Sequence, residues 1–116
     1  MDNGTREELR SLLFSQRDRL LAMEASRMDS AKTVELDQTR QGRLSRMDAL
    51  QGQAMARATL VRARHQVKRI DAALKRSETE DFGLCRECGE EIDLRRLRFD
   101  PTAVFCISCA EEQESR

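Results

Sequence analysis

Cys85-Arg-Glu-Cys88 and Cys106-Ile-Ser-Cys109 decide the fold of this chain, and they contain its only four cysteines, in two pairs separated by 17 residues. Each Cys-x-x-Cys pair can place two thiolates on one metal ion from a single tight turn. Four thiolates in a tetrahedron make a closed zinc site that leaves no position for water, which is typical of a structural role. The sequence therefore predicts one structural Zn²⁺ bound by Cys85, Cys88, Cys106 and Cys109.

Two other uses of paired cysteines fit less well. Disulfides need an oxidising compartment, and the polar stretch from Met1 to Glu8 is unlike a secretory signal. A redox-active Cys-x-x-Cys needs only one pair and usually a βαβ setting, for which the sequence shows no pattern. We therefore expect a reducing, cytoplasmic environment.

The residues next to the cysteines support a metal site. Gly89 directly follows the first pair, where a glycine permits positive φ, and we expect its N–H to point toward a sulfur. Four thiolates on one zinc leave a net negative charge, which nearby arginines can offset: Arg86, Arg95, Arg96 and Arg98. The last three are also candidates for contact with a nucleic acid or a protein partner, and the sequence leaves both interpretations open.

The composition favours long helices over a broad globular core. Of the 116 residues, 36% are charged and 3% are aromatic. So few large side chains are typical of helices packed along a narrow seam. The formal net charge is zero, but residues 1–80 carry 16 basic and 12 acidic side chains, and residues 81–116 carry 5 and 9. No apolar run approaches the ~20 residues of a membrane span, so we expect no membrane partner.

Hydrophobic periodicity predicts two long helices before the cysteines. The first starts with Thr5 as its N-cap and ends between Met28 and Asp37. Its apolar positions are Leu9, Leu12, Leu13, Leu20, Met23, Met28 and Ala31. The second helix covers Leu50 to Arg76. It follows a coiled-coil rhythm at Leu60, Ala63, Val67, Ile70 and Leu74, and its earlier part carries Leu44, Met47, Leu50, Ala54 and Ala58.

Two long helices joined by a short link must fold back on each other, so we expect an antiparallel coiled-coil helical hairpin. Its arms would be ~30–36 residues, or ~45–55 Å, long. The turn lies either at residues 29–33 or within residues 36–48 around Gly42, and matched arm lengths favour the second position. The predicted fold is mainly α, with a hairpin over residues 1–80 (tip about 36–48) and a small C4 zinc-finger module over residues 81–116.

The module is too small to sustain a core alone, so zinc supplies much of its folding free energy. We expect a turn at Asp100-Pro101-Thr102 and a short C-terminal helix over residues 110–114. We assign Phe82, Phe99 and Phe105 to the core rather than to stacking on bases. The apolar residues available to cover the zinc are Leu84, Ile92, Leu94, Leu97, Phe99, Val104, Phe105 and Ile107.

These residues form a recognisable pattern. Asp81-Phe-Gly-Leu-Cys-Arg-Glu-Cys-Gly-Glu-Glu-Ile92, followed by Arg95-Arg-Leu, Pro101-Thr102 and Cys106-Ile-Ser-Cys109, resembles the C4 zinc finger of the bacterial DksA/TraR family. The resemblance covers about the last 36 residues, and the preceding hairpin is similar in architecture and spacing.

The resemblance implies a monomeric transcription regulator that binds RNA polymerase rather than promoter DNA. In that family the coiled coil enters the secondary channel, and acidic residues at its tip act near the catalytic magnesium or the trigger loop. The zinc region contacts the channel rim. The outcome is altered transcription initiation, often together with the alarmone ppGpp.

The candidate tip residues depart from the best-known members, because the Asp-x-x-Asp-x-Ala string is absent. The acidic residues near the predicted tip are Asp37 and Asp48, and Arg43 and Arg46 lie beside them. The resemblance makes these four residues candidates for a polymerase effector, since carboxylates are suitable ligands for magnesium. Read alone, the two aspartates are also interpreted as helix caps or as solvated partners of the arginines.

Two other functions stay open from the sequence. A nucleic-acid-binding zinc ribbon would use Arg95, Arg96, Arg98 and the basic stretch from Arg57 to Arg76, although the near-neutral charge argues against it. A protein-interaction adaptor would dimerise through its coiled coil. We expect no enzyme, because the sequence shows no nucleophile–base set, no phosphate-binding glycine loop and no open metal position. His65 is expected on the surface.

Overall fold

The computed structural model describes the backbone of residues 1–38 and 43–115 and the side chains of residues 1–26 and 47–115. Over these ranges the chain is mainly α, as predicted, with helices α1 (Asn3–Gln38), α2 (Arg43–Arg76), α3 (Leu94–Phe99) and α4 (Ile107–Ser115). One isolated antiparallel bridge joins Leu84 and Glu91. None of the described helices combines the length and apolar character that a membrane crossing needs.

Helix α1 begins earlier than predicted, and Asp2 rather than Thr5 is its N-cap. The Asp2 carboxylate accepts a hydrogen bond from the Thr5 N–H at 2.6 Å, which satisfies one of the free amides of the first helical turn. This hydrogen bond to the charged form lowers the pKa of Asp2. Thr5 therefore lies inside the helix, and its prediction as the cap was wrong.

The two long helices have described bounds that test the two predicted positions of the turn. Helix α1 continues through residues 29–33, so the alternative turn at that position is wrong. Helix α1 ends at Gln38 and α2 begins at Arg43. Gly42, which we expected in the turn, lies outside the described residues.

Contacts divide the chain into two compact units. Unit 1 comprises Met1–Arg17 and Lys68–Arg116, and unit 2 comprises Asp18–Val67. Unit 1 thus joins the start of α1 and the end of α2 to all residues of the zinc module. The predicted division into a hairpin over residues 1–80 and a module over residues 81–116 stays a prediction.

In unit 1 the two long helices run antiparallel around a small apolar core. Leu9 and Leu13 of α1 are fully buried together with Ile70 and Ala73 of α2. Arg17 of α1 forms an ion pair with Asp71 at 2.8 Å. Leu9, Leu13 and Ile70 are seam positions that the helical periodicity predicted.

Arginines of α1 close the C-terminal end of α2 in unit 1. Arg6 Nη1 donates to the carbonyl oxygens of Ser77 at 2.7 Å and Thr79 at 3.0 Å. Arg10 Nη1 donates to the hydroxyl of Ser77 at 3.1 Å. Ser77 and Thr79 directly follow α2, so these guanidinium groups pair acceptors in the turn that ends the helix.

In unit 2 the helices are again antiparallel, and their seam agrees with the predicted one at Leu60, Ala63 and Val67 but not before Leu60. Glu24 of α1 pairs with Arg64 of α2 at 3.0 Å. The partly buried positions of α2 include Ala49, Gln53, Leu60, Ala63 and Val67, while Ala54 and Ala58 are exposed. The rhythm set by Leu60 and Ala63 continues back to Gln53 and Ala49.

The earlier part of the predicted seam was therefore wrong. Met47 and Leu50 are 60% and 62% exposed, because at about 100° per residue neither falls on the seam side of α2. On α1, Met23 is likewise exposed and Glu24 is partly buried. The side chains of Leu44, Met28 and Ala31 lie outside those described.

The apolar core of the zinc module is smaller than predicted. Phe82, Ile92 and Leu97 are buried, as expected. Phe99 was assigned to the core, but it is 89% exposed, and Leu84, Leu94 and Ile107 are also exposed. In the six-residue helix α3 the inward position is Leu97, so Phe99 falls on the outward face with Arg95 and Arg98.

Met1 fills the space beside the turn that enters the module. Gly83 has φ of +86°, and a Cβ at this position would lie 2.6 Å from the Met1 methyl carbon. Any other residue would be strained in this conformation and would displace the methionine.

We predict that Leu13→Ala destabilises the protein by about 2–5 kcal/mol, because it removes fully buried methyl groups and leaves a cavity. Leu21→Ala is the matched control in the same helix, and its exposed side chain should cost no more than about 0.5 kcal/mol. Urea denaturation followed by circular dichroism, with zinc in excess, measures both. Equal losses for the two variants would contradict the assigned core.

Candidate metal centre

The first cysteine pair lies in a tight hairpin turn whose strands are tied by backbone hydrogen bonds. The Cys85 N–H donates to Glu90 O at 2.8 Å, and the Ile92 N–H donates to Gly83 O at 2.8 Å. Gly89 has φ of +73°, as its position predicted. Its N–H donates to Cys85 O at 3.0 Å, however, so the expected contact of this N–H with a sulfur is not observed.

The second pair lies at the start of α4. Cys106 directly precedes the helix, Cys109 is in its first turn, and the Ala110 N–H donates to Cys106 O at 2.9 Å. Thiolates are favoured at a helix N-terminus because free N–H groups face them there. Helix α4 extends from Ile107 to Ser115, so it contains the short helix predicted over residues 110–114.

The two pairs bring their four sulfurs together. All four sulfur atoms lie within 4.8 Å of one another, and the Cys88 and Cys106 sulfurs are 3.8 Å apart. A tetrahedron with Zn–S bonds of about 2.3 Å has edges of about 3.8 Å. The spacing and the donor set therefore fit a zinc ion bound by four cysteines, and the predicted single structural Zn²⁺ is confirmed.

Thiol chemistry explains why this cluster needs a cation. Backbone N–H groups, first that of Cys88 and then those of Cys106 and Glu87, favour the thiolate of Cys85 and lower its pKa to about 6. The Glu90 N–H acts in the same direction on Cys88, but burial and the neighbouring thiols outweigh it and raise the pKa of Cys88. The hydrogen bond with Cys106, followed by burial, raises the pKa of Cys109. Four adjacent thiols do not all ionise unless a metal ion compensates their charge.

The arginines near the cysteines have different roles. Arg96 Nε donates to Phe105 O at 3.1 Å, immediately before the second pair. Arg98 forms a two-pronged ion pair with Glu8 of α1 at 3.1 and 3.4 Å. Arg95 is exposed and contacts only its neighbour Asp93 among the described residues. Of the three candidates for partner contact, Arg95 is thus the one whose side chain is most available.

Cations from α2 also lie next to the metal ligands, which the sequence did not predict. Lys75, Arg76 and Arg86 line one cavity together with Cys85. Burial lowers the pKa of Arg76, and the nearby Arg86 guanidinium lowers it further. Three positive side chains beside a zinc–thiolate centre offset its negative charge. Position in the fold, rather than closeness in sequence, brings Lys75 and Arg76 there.

A small network of hydrogen bonds and one ion pair joins α2 to the turn before the second cysteine pair. The Asp100 carboxylate accepts hydrogen bonds from the Thr102 N–H at 3.1 Å and hydroxyl at 2.6 Å. Arg69 Nη2 reaches the Thr102 hydroxyl at 3.4 Å and the Asp100 carboxylate at 3.9 Å. Thr102 is buried. The turn at residues 100–102 was predicted from Pro101, but its attachment to α2 was not.

The proposed tip residues are described only in part. Asp48 is exposed in the second turn of α2. The side chains of Asp37, Arg43 and Arg46 lie outside those described. Their assignment as a polymerase effector stays a prediction.

The fold and the site define a C4 zinc-finger protein built on two long antiparallel helices. Residues 80–115 match the prokaryotic dksA/traR C4-type zinc-finger family. The structure of transcription factor DksA2 from Pseudomonas aeruginosa has a TM-score of 0.88 and 32% sequence identity, over 100% of this chain and 88% of that one. This chain belongs to the DksA/TraR family.

Curated relatives match over 55 residues, a little under half of this chain. The RNA polymerase-binding transcription factor DksA of Haemophilus influenzae is 51% identical over 55 residues, which are 47% of this chain and 38% of that protein. The protein of the same name from Escherichia coli K12 is 49% identical over 55 residues, 47% of this chain and 36% of that protein. The matched segment thus spans less than half the length of these relatives.

We predict that Cys88→Ser releases the zinc and unfolds the residues that depend on it, because a closed site that loses one thiolate binds zinc far more weakly. Bound zinc is measured by elemental analysis, and the fold by circular dichroism and limited proteolysis. Ser108→Ala, an exposed change between two ligands, is the control and should keep full zinc content. A C-terminal third that stays protease-resistant without metal would contradict the structural role.

We also predict that zinc binding releases protons and weakens as the pH falls. The raised pKa values of Cys88 and Cys109 mean that these thiols carry protons at neutral pH without metal, and zinc must displace them. Calorimetric titration with zinc in buffers of different ionisation enthalpy counts the released protons. Zinc binding with no proton release at neutral pH would show that the thiols are already ionised.

Proposed function

We propose that this chain is a non-catalytic bacterial transcription regulator that binds RNA polymerase in the cytoplasm. The observation that carries the proposal is its likeness to transcription factor DksA2 over the whole length of this chain. The curated relatives that match 55 residues of this chain are named for RNA polymerase binding. A structural zinc centre without an open coordination position is consistent with a binding role rather than catalysis.

We further propose that the paired helices reach into the secondary channel of the polymerase. Helices α1 and α2 contain 36 and 34 residues, so each is about 50 Å long at about 1.5 Å per residue. In both units they pair antiparallel, through Arg17–Asp71 in unit 1 and Glu24–Arg64 in unit 2. Two helices side by side are a narrow element, which suits a channel.

In this proposal the acidic residues within about residues 36–48 are the groups that act on the polymerase and change transcription initiation. Asp48 is the member of this group whose side chain is described, and it is exposed. An exposed carboxylate at this position is able to contact a magnesium ion or an arginine of the polymerase. We also propose that the protein acts as a monomer and modulates transcription initiation. Its action is linked to ppGpp in the same proposal.

The nucleic-acid alternative loses support from the contacts of the arginines. Arg96 and Arg98, two of the three arginines of the zinc module that it would use, are engaged within the protein. Residues 81–116 carry 9 acidic against 5 basic side chains, and the zinc–thiolate centre adds negative charge. A phosphate backbone would be repelled by this balance.

The first experiment measures binding of the labelled zinc-loaded protein to purified RNA polymerase. A known secondary-channel binder serves as competitor. We expect saturable binding that the competitor displaces. Absence of binding with a filled zinc site would overturn the proposed function, and binding that resists the competitor would overturn the secondary-channel assignment.

The same preparation tests the effector residue. Asp48→Asn removes the charge at nearly constant shape, so polymerase affinity should stay within about twofold while the effect on transcription initiation is lost. Asp18→Asn, an exposed aspartate on α1 far from the helix break in sequence, is the control and should behave like the wild type. An unchanged transcriptional effect of Asp48→Asn would remove Asp48 from the effector.

A further inference from the structure

The first part of α2 carries an apolar stripe that faces solvent, and this stripe is more apolar than the seam side of the same stretch. On the seam side the partly buried residues include Ala49 and Gln53, which are small or polar. On the other side Met47, Leu50 and Val61 are 60%, 62% and 50% exposed. A helix normally buries its more apolar face, so this reversal indicates that another surface covers the outer stripe.

The outer stripe forms one continuous ridge, which comprises Met47, Leu50, Ala54, Ala58 and Val61. Successive members are three or four residues apart, which places them along a single line on a helix with about 100° per residue. At about 100° per residue the line lies about 140° around α2 from the seam. All five residues belong to unit 2, and we call them the outer ridge.

Positive charge flanks the outer ridge on both sides. Arg57 and Arg64 lie along one edge and Arg62 lies along the other, given the helical spacing. The sequence from Ala49 to Ile70 contains no acidic residue. Arg64 is paired with Glu24 on α1, and Arg57 and Arg62 are exposed. A surface that covers the ridge must therefore face several cations.

This charge pattern selects among the possible occupants. Two copies of the chain packed ridge to ridge would bring their arginines together, and like charges at such an interface oppose association. A nucleic acid would pair with the arginines but would leave the apolar ridge against phosphates and sugars. A protein groove that is apolar along its floor and acidic along its rim satisfies both features.

We propose that the outer ridge of α2 is a docking surface that inserts into an apolar, acid-rimmed groove of RNA polymerase. The proposal rests on the proposed function and adds to it the surface that supplies affinity. Met47 and Leu50 are the anchors, because large apolar side chains at the centre of an interface contribute most of its binding energy. Arg57 and Arg62 attract the acidic rim of the groove during association and pair with it in the complex.

The test uses the full zinc-loaded chain and a matched pair of variants. Met47→Gln with Leu50→Gln removes two anchors, and glutamine keeps the helix propensity and approximate length of methionine. Met55→Gln is the control, because Met55 is 72% exposed on the same helix but lies about 100° away from the ridge. We expect at least about tenfold weaker polymerase binding for the double variant and less than about twofold for the control.

A charge-reversal variant tests whether Arg57 and Arg62 face acidic groups of the polymerase. Arg57→Glu with Arg62→Glu should weaken binding at low salt and reduce its dependence on salt concentration, because these arginines face acidic groups in the complex. Circular dichroism and zinc content of every variant should match the wild type. Sedimentation of the wild-type chain should show a monomer.

Each outcome has a separate meaning. If the wild type binds polymerase and the double variant binds equally well, the ridge is not the docking surface, while the proposed function stands. If the double variant and Met55→Gln lose affinity equally, the effect is not specific to the ridge and the inference is overturned. If the wild type dimerises and the double variant does not, the ridge serves a second copy instead. If the wild type does not bind polymerase at all, the proposed function and the inference both fail.

Discussion

Four sulfur atoms held within 4.8 Å of one another form the constraint on which unit 1 depends. Thiols at this distance cannot all lose their protons unless a cation lies among them, so the arrangement becomes stable as a whole when zinc binds. The remaining contacts of the module are few: a tight turn, one isolated bridge, two short helices and a small apolar cluster. The metal therefore orders the module, while Arg98–Glu8 and Arg69–Asp100 attach it to the long helices.

Local chemistry explains which features could be predicted from the sequence. The zinc site follows from cysteine spacing, because a Cys-x-x-Cys turn has nearly one geometry. The seam from Leu60 to Leu74 follows from a regular rhythm of apolar residues. Between Met47 and Ala58, in contrast, apolar residues occupy more than one side of α2, and periodicity cannot decide which one is inward. Asp and Thr are both common N-cap residues, so the sequence does not show whether Asp2 or Thr5 caps α1. The structure decides this because α1 begins at Asn3. Phe99 was misassigned because hydrophobicity alone does not fix the rotation of a six-residue helix.

Most of the arginines near the zinc module act within the protein, although the sequence shows them only as positive charge. Arg6 and Arg10 satisfy the end of α2, Arg69 holds a turn, and Arg96 supports the segment before the second cysteine pair. Planar guanidinium groups suit these tasks because they reach several acceptors at once. A count of basic residues therefore overstates the surface available to a nucleic acid. The side chains left for recognition are Arg95 and Phe99 on α3 and the arginines beside the outer ridge.

The small residues in the seam of unit 2 have a consequence for the dynamics of the helices. In the described part of unit 2 no side chain is fully buried, whereas unit 1 buries Leu9, Leu13 and Ile70 completely. Local opening requires little free energy where few apolar contacts must be broken. Backbone amides of α2 near Ala49 and Gln53 should therefore exchange with deuterated solvent much faster than those near Ile70. A single continuous helix would thus combine a firmly held end with one that readily adapts its shape to a partner.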